Sequence, residues 1–412
     1  MSVLDRFLRY VQFDTQSDES SASYPSTAKQ LVLLEALAAE LREMGAAEVH
    51  MDPHGYVTAT VPATSSKRDL PTIGFIAHVD TSPEMPGAGV KPIVHAKYDG
   101  RELRLPDDPT VVLRAADIPA LAERLGDDIV TASGTTLLGA DNKAGVAEIM
   151  TAVEYLLAHP EIPHGRVRVA FTPDEEVGRG TLHFDVAGFG ARYAYTMDGG
   201  SRGELEYESF SADAMTVVFT GFNTHPGYAR GRMVNAIKAA ASFIERLPKD
   251  AMSPETTDGY EGFVHPYTMQ GGVDRASVRF IIRDFVTARL TEKENRLAAL
   301  ARDAADAWPG VRLETRIEEQ YRNMREVLDK HPHAIEYARD AMRRVGVEVR
   351  ERPIRGGTDG SKLSFMGLPT PNIFAGEHNF HSRLEWISVQ DMEKAIEVIV
   401  ELARVWHERA PG

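Results

Sequence analysis

The sequence contains no cysteine. Disulfide frameworks, thiolate nucleophiles, cysteine-based zinc sites and iron–sulfur clusters are therefore excluded, and any metal must be held by His, Asp and Glu. Tryptophan is scarce, at 3 residues in 412. No stretch reaches the roughly 18 consecutive apolar residues of a membrane span. The opening MSVLDRFLRYVQFDTQS mixes charges with apolar residues at helical spacing, unlike the unbroken apolar core of a signal peptide. Basic residues are in deficit: 46 Lys and Arg against 61 Asp and Glu leave a net charge of −15. Such a surface repels phosphate backbones, so neither nucleic acid nor a membrane is an expected partner. The expected location is the cytoplasm. Apolar residues make up 43% and charged residues 26% of the chain, an ordinary globular composition that at this length predicts two or three domains.

Apolar periodicity supplies the outline. Ser26 stands where it could cap a helix running to about Met44, with Leu31, Leu34, Ala38 and Leu41 on one face and Gly45 as the stop. Ile73–Ala77, Val167–Phe171 and Tyr193–Met197 are short, almost wholly apolar strands. A helix is predicted from Lys143 to His159, and the Pro- and Gly-rich stretch from Ser82 to Leu137 is predicted as short strands and loops. Near Ser209 the pattern changes. A strand at Ala214–Phe219, a helix at Met233–Leu247, a loop at Asp250–Gly272, a strand at Ala276–Phe285, a helix at Glu292–Trp308 and a strand at Val311–Glu318 follow in order. Helices at His333–Val345 and Val389–His407 close the chain. The expected fold is α/β: a domain formed by 1–208 and 321–412, with a mixed, largely parallel sheet flanked by helices, and an inserted smaller α+β domain at 209–320.

The polar clusters share one position. His78-Val79-Asp80, Thr172-Pro173-Asp174-Glu175-Glu176 and Asp198-Gly199-Gly200 each follow an apolar strand. In open α/β sheets the carboxyl ends of parallel strands form the ligand crevice. Asp141 precedes a helix, and His381 lies in the loop Asn379-Phe380-His381-Ser382. Carboxylates gathered together repel one another unless a cation offsets them. Mixed His and carboxylate donors suit Zn²⁺, or Mn²⁺ or Co²⁺. Five donors exceed the needs of one catalytic zinc and suit two metals that share a carboxylate. Neither a phosphate loop, nor a dinucleotide fingerprint, nor a Gly-x-Ser-x-Gly nucleophile elbow is present.

In combination these segments resemble the dizinc peptidase family that holds aminopeptidases, dipeptidases, aminoacylases and carboxypeptidases. The matching stretches include HVDTSPEMPG, LLGADNKAGVAEIMTA, FTPDEEVGRGT, YTMDGG and QYRNMREVLDKHPH, between residues 78 and 386. The opening FLRYVQFDTQS also matches, so the resemblance spans essentially the whole chain. Two longer stretches, FNTHPGYARG and PIRGGTDGSKLSFMGLPTPN, are similar to the tripeptide-cleaving aminopeptidases of that family.

The resemblance implies two Zn²⁺ per subunit, with Co²⁺ or Mn²⁺ as substitutes. Asp141 would bridge both, His78 and Asp198 would complete one, and Glu176 and His381 the other. Glu175 would be the general base, and Asp80 would orient His78. The domain of 1–208 and 321–412 would be catalytic, the inserted domain would serve as lid and dimerisation surface, and His225 would reach across a homodimer to the oxyanion of the partner's site. Arg355, with Arg283 ranked below it, would clamp the substrate carboxylate, and Asn379 would meet the peptide amine. The usual family pattern at the bridging Asp is a second Asp before Lys, where this chain has Asn142. The implied activity is removal of the amino-terminal residue from tripeptides. A dipeptidase, aminoacylase or carboxypeptidase of the same family is the alternative substrate reading, and a metal-binding homologue without turnover is the alternative of another class.

Overall fold

The computed structural model describes residues 1–409. The chain divides into two compact units. One comprises Met1–Tyr207, Val327–Arg352 and the chain from Thr358 onward; the other comprises Glu208–Glu326 and Pro353–Gly357.

The first unit is built on an eight-stranded mixed sheet. Its strand order is Ala47–Met51, Val57–Val61, Val167–Thr172, Ile73–His78, Tyr193–Gly199, Asn372–Phe374, Glu204–Glu206 and Arg350–Glu351. The four central strands run parallel, and antiparallel pairs lie toward the edges. All six residues of Ile73–His78 and of Val167–Thr172 are buried. Strands covered on both faces have no polar face to alternate with, which is why they read as continuous apolar runs. Helix Ala140–Ala158 packs on strands 73–78 and 193–199. Its approach requires Gly145, because a Cβ there would stand 2.0 Å from the carbonyl oxygen of Met197. The stretch 82–137 holds short strands and one helical turn. Two of those strands, Ile93–His95 and Ile129–Thr131, join Trp386–Ser388 and Glu377–His378 in a small antiparallel sheet. The expected α/β class with a helix-flanked mixed sheet is thus observed.

The second unit is a four-stranded antiparallel sheet ordered Phe263–Gly271, Arg275–Asp284, Ser211–Thr220 and Arg312–Tyr321. Helices Ala236–Glu245 and Thr287–Asp306 close over a core that includes Val217, Phe219, Phe243, Phe280 and Leu297. Strand 263–271 lies where the sequence predicts a loop. It carries Pro266, and its register slips between Pro266 and Thr268. It is an edge strand with one paired neighbour, so it tolerates a residue without an N–H and shows no apolar alternation. Among the described residues no helix is long and apolar enough to cross a membrane.

Candidate metal centre and active site

Parallel strands that end on one edge deliver their following residues side by side. His78 closes its strand opposite Thr172, and Ile76 lies opposite Thr196. The residues just beyond, Asp174–Glu176 and Asp198, therefore emerge next to His78. The His78 side chain is 3% exposed. Its Nε2 lies 3.0 Å from Asp141 Oδ1 and 3.4 Å from Asp198 Oδ1. Its Nδ1 lies 3.1 Å from the Asp80 carbonyl oxygen and 3.3 Å from Asp80 Oδ1. An Nδ1–H donated to Asp80 leaves Nε2 facing the other two carboxylates.

The other side of Asp141 faces a second trio. His381 Nε2 lies 3.2 Å from Asp141 Oδ2 and 2.8 Å from Glu176 Oε2. Within each trio, His78–Asp141–Asp198 and Asp141–Glu176–His381, the donor atoms lie within 4.8 Å of one another. Asp141 presents one oxygen to each histidine.

The electrostatics describe a site short of positive charge. Burial opposes a charge on His78, but Asp198, Asp141 and Asp80 overcome it and hold the imidazole well above its ordinary range. His381 is likewise opposed by burial and raised to about 11 by Asp141 and Glu176. Burial and then Asp141 push Glu176 up to about 8, with His381 acting in the opposite direction. Burial also raises Asp198 and, strongly, Glu175. Glu176 Oε1 is buried and has no hydrogen-bond partner. Imidazole nitrogens and carboxylate oxygens converge on two points, and one buried acceptor lacks a donor. This is a donor set that fits two divalent cations sharing Asp141.

Asp80, fully buried, does more than orient His78. Its Oδ1 accepts from the Glu175 N–H at 3.0 Å and its Oδ2 from the Glu176 N–H at 3.2 Å. The preceding residue, Asp174, is a positioning group that no local pattern in the sequence singles out. It holds a left-handed backbone, φ 61°. Its buried carboxylate accepts from the Ser26 N–H at 2.6 Å, the Ser26 hydroxyl at 2.5 Å and Gln30 Nε2 at 2.7 Å. This corrects the expected cap. Helix Lys29–Glu43 starts after Ala28 without a side-chain cap, because the Ser26 hydroxyl is directed to Asp174. Asn142 acts locally. Its Oδ1 accepts from the Gly145 N–H at 3.2 Å, the geometry of a helix cap.

His78, Asp80, Asp141, Glu175, Glu176, Asp198 and His381 are thus brought together. Asn379 is an exposed residue on the His381 loop, with φ 52°. The remaining candidates belong to the second unit. His225 is exposed and opens the 3-10 turn Pro226–Tyr228, where its Nδ1 accepts from the Gly227 N–H at 3.2 Å. Arg355 is bonded to the 257–261 segment of the second unit. Its Nη1 donates to the carbonyls of Gly259 (2.6 Å) and Glu261 (3.0 Å), and its Nη2 to the carbonyl (3.4 Å) and hydroxyl (3.2 Å) of Thr257. Its guanidinium also stacks over Phe210. Arg283 is less engaged: Nη1 donates to the Arg355 carbonyl at 3.3 Å, and the buried Nε has no partner.

A profile of "Peptidase family M20/M25/M40" matches residues 136–405. The chain is 50% identical over 408 residues to a protein named Peptidase T from Geobacillus sp. strain WCH70, with 99% of each chain covered. Two solved structures share its fold. The aminopeptidase PepT from Bacillus cereus ATCC 10987 has a TM-score of 0.75 at 24% identity over 98% of both chains. A tripeptidase from Staphylococcus aureus subsp. aureus Mu50 has a TM-score of 0.76 at 20% identity, covering 99% of this chain and 98% of that one.

Proposed function

The chain belongs to peptidase family M20/M25/M40, and from that premise we propose that it is a cytoplasmic aminopeptidase that removes the amino-terminal residue from tripeptides. The observation that carries the reading is the pair of trios sharing Asp141, with the carboxyl of Glu175 beside them. The tripeptide preference draws on the half-identity with Peptidase T across nearly all of both chains.

His78, Asp141 and Asp198 would hold one Zn²⁺, and Asp141, Glu176 and His381 the other; Co²⁺ or Mn²⁺ would satisfy the same donors. When bound, such a pair of ions acidifies a water and polarises the scissile carbonyl. Glu175 would accept a proton from the attacking water and return it to the departing amine. Burial raises its pKa well above the ordinary carboxylate range, and a carboxylate with a raised pKa takes up a proton more readily than an ordinary one. Asp80 keeps the Glu175–Glu176 turn and the His78 ring in register through one carboxylate. In a homodimer His225 would supply a donor for the oxyanion. Arg355, with Arg283 as the second candidate, would bind the substrate carboxylate; the buried Nε of Arg283 has no partner. Asn379 would meet the peptide amine.

A panel of free di-, tri- and tetrapeptides and N-acyl amino acids, assayed before and after chelation, tests this. Tripeptides should be cleaved, chelation should stop the reaction, and Zn²⁺ should restore it. Cleavage of acylated amino acids without tripeptides would reject the substrate assignment.

A further inference from the structure

The backbone that presents Asp141 is irregular. Gly139 is left-handed (φ 83°), and Asp141 and Asn142 depart from helical dihedrals although helix hydrogen bonding surrounds them. Buried N–H groups in such a turn need acceptors from elsewhere. One side chain supplies three. Glu385 Oε2 accepts from the N–H groups of Leu138 at 2.6 Å and Gly139 at 2.8 Å, and Oε1 accepts from that of Asp141 at 3.1 Å. Glu385 is 1% exposed. The buried ammonium of Lys143, which donates to the Phe13 carbonyl at 2.8 Å, provides opposite charge nearby.

Glu385 also belongs to the segment that carries His381. Its N–H donates to the Ser382 carbonyl at 3.4 Å. The Ser382 hydroxyl donates to the Asn379 carbonyl at 2.6 Å and accepts from the Leu384 N–H at 3.1 Å. Immediately afterwards, Trp386–Ser388 is fixed between two strands. One carboxylate therefore ties the turn bearing Asp141 to the loop bearing His381, across 244 residues of sequence.

We infer that Glu385 is a positioning residue that holds Asp141 and His381 in register and thereby governs the cation site that His381 completes. The inference rests on the two-cation reading above. The site completed by His78 depends on it less, because His78 and Asp198 are carried by paired strands and His78 is oriented by Asp80. A carboxylate is required by the count of partners: three donors converge on two oxygens. An amide in its place would set a donor against a donor.

The test is a titration of metal-free protein with Zn²⁺ against a competing chelator, giving stoichiometry and both dissociation constants. Wild type should take two ions per chain. Glu385→Gln should bind one ion roughly 10–100-fold more weakly, the usual effect of removing a group that orients a ligand, and the other with a clearly smaller loss. Glu385→Asp keeps the charge but withdraws the oxygens, and carries the same expectation if the amide variant fails to fold. Two ions held at wild-type affinity, or both weakened equally, overturns the inference. A wild-type protein that takes fewer than two ions overturns the two-cation reading itself.

Discussion

The two halves of the proposed centre are built differently. His78 and Asp198 stand at the ends of neighbouring strand positions in the parallel sheet, and the His78 ring is 3% exposed. His381 sits on a loop with a left-handed backbone, φ 57°, and is 32% exposed. Its Nδ1 lies 3.3 Å from Glu84, itself 70% exposed, whereas the Nδ1 of His78 meets the fully buried Asp80. One half inherits its geometry from backbone hydrogen bonds that would form with or without a ligand. The other depends on side-chain ties and on the charge of its neighbours. A mixed centre of this kind should hold one ion rigidly and the other in a more adjustable setting, which suits a site that must admit and release substrate.

The largest expected effect leaves the contrast untouched. Glu175→Gln should lower turnover by about 10²–10⁴, the range for loss of a general base, while metal analysis finds both ions retained. Survival of turnover would remove Glu175 from its role. Next come the two histidines. In the metal-free protein, His78→Ala removes a buried imidazole shared by the part-buried Asp141 and Asp198 and should cost up to about 3–5 kcal/mol in chemical denaturation, as for breaking a buried ion pair. His381→Ala should cost much less and abolish only one binding event. Equal losses would break the comparison. Gly145→Ala probes the contact between helix 140–158 and strand 193–199. The added methyl would collide with the Met197 carbonyl beside Asp198, so thermal denaturation should show a loss of about 1–3 kcal/mol.

The smallest effect concerns protons. Burial disfavours charge on His381, yet Asp141 and Glu176 raise it from 6.5 to about 11 in the metal-free chain. A raised folded-state value stabilises fully below the unfolded value and loses that contribution as pH climbs through the folded one. Metal-free stability should therefore decline between pH 6.5 and about 11, and His381→Ala should flatten the decline. At neutral pH an incoming cation must displace this proton, so Zn²⁺ affinity should rise with pH and proton release should be measurable in weakly buffered titrations.

Much of this arrangement is legible in the sequence because strand ends announce themselves. An apolar run followed by His, Asp or Glu marks the point where a buried strand reaches the crevice, and this locates His78, Glu175, Glu176 and Asp198. Resemblance to a known family is needed to assign their roles and to single out His381 from 14 histidines. Ser26 resembles a helix cap because the local pattern fits one. Its true partner, Asp174, lies 148 residues away. Strand Phe263–Gly271 reads as loop because an edge strand with Pro266 lacks alternation. Arg355 looks available in sequence, yet its guanidinium is bonded to the 257–261 loop.

The amino-acid sequence alone determined the α/β class, the absence of thiol chemistry, the central strands and the residue types gathered at their ends. These follow from periodicity and composition, which are local. Tertiary structure alone decided that Asp141 turns one oxygen to each histidine, that Glu385 binds the turn presenting it, and that Arg355 bonds the 257–261 loop. Those are hydrogen bonds between groups tens to hundreds of residues apart, and no local pattern encodes a partner that only the folded chain brings within 3 Å.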